Sequence, residues 1–153
     1  MKRIKFLVLG LILSIGSSVD AQIEPVDANG LAIGGYDVVA YFSGVAKRGF
    51  ESYSTKHNGA TYYFSSEENK EAFKKSPKKY LPQYDGYCAW GVAAQNTKFP
   101  INPETFDVVD GKLYLFFNGP FKGNIFDTSI PWNAETTSLI AAGKKNWPKV
   151  KKS

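Results

Sequence analysis

Asn58-Gly59 separates two runs rich in strand-forming residues, Phe50 to Lys56 and Ala60 to Phe64, and this pair restricts the fold more than any other feature. Asn-Gly readily adopts positive φ at both central positions of a two-residue turn, so the stretch predicts an antiparallel hairpin of fixed register. Directly after it, Ser65-x-x-Glu68 has the pattern of a capping box, and Asn69, Ala72 and Phe73 recur at helical spacing. A strand therefore passes straight into a helix. Ser76-Pro77 repeats the start signal on a smaller scale, predicting a short second helix that turns Tyr80 and Leu81 inward before Pro82.

The rest of the chain adds to this unit. Asp110-Gly111, between Phe106–Val109 and Lys112–Phe117, predicts a second hairpin of the same kind. Gln22 to Gly30 is short and polar, suited to an arm or a leading strand. Leu31 to Phe42 is apolar, and Asp37 is placed to cap a helical turn carrying Val38, Tyr41 and Phe42, although the same residues also suit a strand. Tyr84, Cys88 and Gly91, with Tyr87, Trp90 and Ala94, fall at helical spacings, so a helix there would be apolar nearly all round and belong inside. Asn133 to Asn146 predicts a closing helix. The expected fold is a small single α+β domain over residues 22–153, a β-hairpin feeding a helix, extended by the second hairpin and a C-terminal helix.

Residues 1–21 read as an export signal. Lys2, Arg3 and Lys5 precede the apolar run Phe6–Ile15, and Val19-Asp-Ala21 forms a small-residue cleavage site before Gln22. The run is too short to span a bilayer, so no transmembrane segment is expected after cleavage. The address is exported, periplasmic or secreted, with an uncleaved, membrane-retained leader as the alternative. The whole chain holds 19 Lys plus Arg against 14 Asp plus Glu. Losing Lys2, Arg3, Lys5 and Asp20 leaves a net charge of about +3, much of it in a basic, solvated C-terminal tail formed by Lys144, Lys145, Lys149, Lys151 and Lys152. Basic and aromatic residues are not interleaved in one cluster, and with export this argues against nucleic-acid binding.

One Cys and one His leave few ways to build a catalytic site. The sequence has no phosphate loop, Cys-x-x-Cys pair, His-Glu-x-x-His or Gly-x-Ser-x-Gly. Cys88 and His57 would make a reactive dyad only if the fold joined them; otherwise Cys88 is an inert buried thiol and His57 a polar neighbour of the turn. The same two residues are the candidate soft ligands for copper or zinc, with Asp37 or Asp85 able to assist. Tyr36, Tyr41, Tyr84, Tyr87 and Trp90 could line a ligand pocket or fill the core.

Gly35-Tyr-Asp-Val-Val-Ala-Tyr41, Tyr62-Tyr-Phe-Ser-Ser-Glu-Glu-Asn-Lys-Glu-Ala-Phe73 and Pro77-Lys-Lys-Tyr80 resemble the YHS-domain family over about residues 35–93, with Val38 where the family's Asp-Pro-Val start has proline. Gln83-Tyr-Asp-Gly-Tyr-Cys-Ala89 looks like the ending of the small exported subfamily. The resemblance implies a hairpin-and-helix module. In its metal-handling branch, cysteines occupy the positions matched here by Ala40, Ser65 and Asn69, and all three are absent. The expectation is thus an exported, non-catalytic YHS-type module that binds a small ligand, metal ion or protein, with Cys88, Tyr36, Asp37, Tyr84, Tyr87 and Trp90 as candidate site residues. The alternatives are copper or zinc binding centred on Cys88 with His57 assisting and, more distantly, a thiol enzyme using Cys88.

Overall fold

The first hairpin forms where the Asn-Gly pair requires it. β1 (Phe50–His57) and β2 (Ala60–Phe64) run antiparallel, His57 pairs with Ala60, and the turn places Asn58 at φ 48° and Gly59 at φ 83°. The computed structural model of the protein describes residues 22–153; the leader, residues 1–21, lies outside the described residues. α1 (Glu67–Lys75) follows β2, and α2 (Pro77–Tyr80) follows α1. The helix cap differs from the expected one by a single residue. Ser66 is the cap, its Oγ accepting from the Asn69 amide at 3.1 Å, because Ser65 is engaged elsewhere.

That other engagement is with Asp37, which is completely buried. Asp37 Oδ1 accepts from the amides of Val39 (2.9 Å) and Ala40 (3.3 Å), which caps the turn leading into the 3-10 helix Ala40–Ser43. Its Oδ2 accepts from the Ser65 amide (2.8 Å), Ser65 Oγ (2.7 Å) and Asn69 Nδ2 (2.7 Å). One carboxylate thus joins the 37–43 turn to the junction between β2 and α1, and every contact satisfies a donor that burial would otherwise leave costly. The turn reading of Leu31–Phe42 holds from Asp37 onward, while Tyr36 forms an isolated bridge to Arg48.

α3 (Ala89–Gln95) begins later than the helical spacing from Tyr84 suggested. Tyr84 and Asp85 are both left-handed, at φ 58° and 52°, and form a tight turn; the helix starts only after Cys88, which caps it. β3 (Asn102–Val109) and β4 (Lys112–Phe116) make the second hairpin around Asp110-Gly111. A third, not foreseen from sequence, pairs β5 (Asn118–Phe121) with β6 (Asn124–Asp127) through Lys122-Gly123. The closing helix is two helices, α4 (Ser129–Ala134) and α5 (Thr136–Val150), separated at Glu135. The basic end of the chain makes contacts of its own: Lys98 Nζ donates to the carbonyls of Lys151 and Ser153, and Lys151 pairs with Asp85.

β4 explains how so short a chain assembles two cores. It is buried on both faces, and its period-2 alternation sends Leu113 and Leu115 to one cluster and Tyr114 and Phe116 to the other. The first cluster contains Phe64 and Phe73 from the hairpin-and-helix unit and Tyr41 from the 3-10 helix Ala40–Ser43. The second is built around Trp132 with Val92 and Val150, where α3, α4 and α5 close over the strand. The arm ties the hairpins together: Ile23 exchanges backbone hydrogen bonds with Ile101 at 2.9 Å, and Ala32 donates to the Thr61 carbonyl.

Gly49 is the tightest approach in the first unit. Its amide donates to the Gly35 carbonyl at 2.8 Å, and a Cβ there would overlap the backbone of Tyr63 and Phe64. Backbone cannot step aside as a side chain can. Gly49→Ala is expected to lower the stability to urea unfolding by about 3 kcal/mol; a change below about 0.5 kcal/mol would contradict this packing.

Candidate functional site

The predicted aromatic pocket residues do not converge. Tyr36 donates its hydroxyl proton to Glu104 Oε1 (2.9 Å) with the Arg48 guanidinium 4.8 Å from its ring centre, Tyr87 faces Lys98, and Trp90 meets Phe126 edge-on at 5.3 Å. Tyr41 is fully buried and donates to the Pro103 carbonyl, so it belongs to the core; burial pushes its phenol well above the usual range. Tyr84 is different, because it forms a wall of an open cleft.

This cleft, of about 390 Å³, lies between the Leu81–Asp85 segment and one face of α5. Ile140, Lys144 and Trp147 line it from α5, and Gly143 is on the same face at i, i+3, i+4 and i+7. Opposite stand Tyr84 and Tyr114, with Lys78 and Lys112 at the margin. Tyr84 packs against Trp147 with ring centres 5.7 Å apart, and burial, with Tyr114 adding to it, pushes its phenol up to about 12. The aromatic walls and three lysines suit a ligand with an apolar body and a negative group. Two consecutive left-handed non-glycine residues at its edge, Tyr84 and Asp85, are a conformation that costs of order 1–2 kcal/mol each and persists only where the surroundings enforce it.

A second cleft, of about 310 Å³, lies across the same segment and shares Leu81, Pro82 and Asp85 with the first. His57, Tyr62 and Lys151 line it, and Lys151 Nζ is 2.9 Å from Asp85 Oδ2. Both side chains of that pair are more than half exposed, so it contributes little stability. Burial, then Asp85, raises the Tyr62 phenol. The His57 ring packs edge-on against Phe73.

Cys88 has no exposed surface. Its Sγ is 3.2 Å from Thr128 Oγ1 and accepts from the Gly91 amide at 3.4 Å. Thr128 donates its single hydroxyl proton to the Phe117 carbonyl (2.9 Å), which leaves the thiol as donor to the threonine. The sulfur is therefore satisfied on both counts.

Residues 49–84 match the YHS domain model. No curated protein and no solved structure matches the chain. The YHS match covers the first hairpin, α1 and α2 and ends at Tyr84, so the larger cleft lies where the YHS segment meets the rest of the chain. The three positions that the resemblance singled out, Ala40, Ser65 and Asn69, converge on Asp37. Ser65 and Asn69 donate their side-chain protons to Asp37, and the Ala40 amide donates to the same carboxylate. These groups are hydrogen-bond donors, not soft ligands, and they do not fit copper or zinc. Among the described residues, no group of three His, Cys, Asp or Glu side chains could hold a metal ion.

The sequence reading singled out Tyr84 but missed its partners on α5, because Ile140, Gly143, Lys144 and Trp147 look like an ordinary helix face. Gly143 was the available signal. A Cβ at this position would overlap the Tyr84 hydroxyl, so the helix gives up propensity to let the phenol in. Gly143→Ala is expected to lower the thermal stability by about 1–2 kcal/mol, against the gain of about 1 kcal/mol that helix propensity alone would give. Tryptophan emission should shift in the same variant as Trp147 is displaced; a stabilised variant with unchanged emission would contradict the contact.

Proposed function

We propose that this protein is an exported, non-catalytic YHS-type binding module whose site is the cleft between Tyr84 and α5, and whose ligand is a small organic anion with an aromatic or apolar body. The observation that carries this reading is the combination in one cleft of Tyr84, Tyr114 and Trp147 with Lys78, Lys112 and Lys144. Aromatic walls supply the apolar contact, and the lysines select charge. Apolar volume without the lysines would favour neutral ligands. Export rests on the leader pattern of residues 1–21 and on the resemblance of Gln83–Ala89 to the exported subfamily.

The non-catalytic reading is supported by the surroundings of the two reactive side chains. Cys88 is enclosed with Thr128, and His57 packs on Phe73 at the edge of the smaller cleft. A thiol enzyme needs its base within hydrogen-bond reach of the sulfur. Copper or zinc binding at Cys88 has less behind it, since the thiol's hydrogen-bonding capacity is already used by Thr128 and Gly91.

Titrating the protein with aromatic carboxylates such as benzoate and indole-3-acetate, read by tryptophan emission, tests the site. Saturable quenching is expected, with affinity falling about tenfold in Lys112→Glu/Lys144→Glu as charge attraction becomes repulsion. Equal affinity for the uncharged amides of the same compounds, or no effect of the double change, would refute the anion reading. N-terminal sequencing of protein recovered from outside the cytoplasm should begin at Gln22.

A further inference from the structure

The β5–β6 hairpin carries exposed apolar side chains on both faces of its tip. Its cross-strand pairs are Phe121 with Asn124, Pro120 with Ile125, and Gly119 with Phe126, so alternation puts Phe121 and Phe126 on one side and Pro120 and Ile125 on the other. Phe121 is 45% exposed and Ile125 72% exposed. On the first side, Phe121 and Phe126 join Phe99, Pro100 and Phe117 around an apolar groove of about 270 Å³. Asn124 is the polar residue on the first side, where Phe126 is half-buried against Trp90 and the first core, yet Phe121 on that side and Ile125 on the other both leave apolar surface in water at the tip.

The root of the hairpin is held firmly. Asn118 Nδ2 donates to Thr105 Oγ1 (3.1 Å) and Asp127 Oδ2 (3.2 Å), while its carbonyl accepts from the side-chain amides of Asn102 and Gln22. An exposed tip on a fixed base is suited to insertion. Lys122, at the turn, carries the only charged side chain among residues 118–126, and its Nζ is 5.3 Å from the centre of the Phe121 ring.

We propose that this hairpin is a membrane-interface anchor that seats the protein on an anionic bilayer. Two observations favour a bilayer over a protein partner. A lipid interface covers both faces of a projecting hairpin at once, whereas a docked surface covers one, and a lysine between apolar side chains suits the boundary between headgroup and acyl chain. Placement agrees: Gln22, the first described residue, bonds to Asn118 at the hairpin's root, with only six residues between it and the apolar run Phe6–Ile15. The part of the chain that follows the leader is thus fixed beside the apolar tip. The proposal is independent of the Tyr84 cleft.

Co-sedimentation of the full chain with vesicles of equal parts phosphatidylglycerol and phosphatidylcholine, and with pure phosphatidylcholine, tests it. The wild-type protein is expected to bind the anionic vesicles, and Phe121→Ser/Ile125→Ser to lose at least about tenfold in partitioning with unchanged circular dichroism and melting, since two exposed apolar side chains leave the interface. Val45→Ser/Phe50→Ser, which removes exposed apolar side chains elsewhere, should bind like wild type. Equal partitioning of the hairpin variant would overturn the proposal by assigning binding to the leader or the basic tail. So would absence of wild-type binding, or a dimer in solution that the hairpin variant dissociates, which would assign the surface to a second copy.

Discussion

A single buried carboxylate decides how the first half of this molecule is put together. Asp37 accepts five hydrogen bonds, two from its own turn, two from Ser65 at the junction of β2 and α1 and one from Asn69 in α1, and without them the 37–43 segment would have no polar tie to the hairpin-and-helix unit. Hydrogen bonds to a charged group are each worth about 1.5–3 kcal/mol, and stranding a donor inside the core carries a penalty of its own. The neighbouring packing depends on this fastening. Val38 and Tyr41 reach the core with Phe64 and Phe73 only if the turn sits where Asp37 holds it.

The same network gathers positions from two separate parts of the sequence. Ala40, Ser65 and Asn69 all direct donors at Asp37. The larger cleft lies at the edge of the YHS match, where Tyr84 ends the matched segment and α5 closes on it. The strained Tyr84–Asp85 turn projects the phenol toward Gly143.

Local chemistry was legible where a short stretch decides its own conformation. Asn58-Gly59 and Asp110-Gly111 both gave hairpins because their turns require positive φ, which those residues supply cheaply. Lys122-Gly123 makes the same turn with a residue less suited to it, and the third hairpin went unread. The cap moved from Ser65 to Ser66 because Asp37, 28 residues away, competes for Ser65, a contact that no local pattern carries. Tyr84 and Cys88 share helical spacing yet sit in different structures, since the left-handed turn between them is enforced by tertiary packing. The cleft was half legible: Tyr84 was marked by its surroundings in sequence, but its opposing wall on α5 is set by the two-faced burial of β4.

The central claim is that Asp37 couples the turn to α1. A double-mutant cycle with Asp37→Ala, Asn69→Ala and the double variant, measured by urea unfolding, tests it most directly. The account predicts a coupling of about 2 kcal/mol, as expected for a buried hydrogen bond to a carboxylate. A coupling below about 0.5 kcal/mol, the limit expected for independent sites, would contradict it.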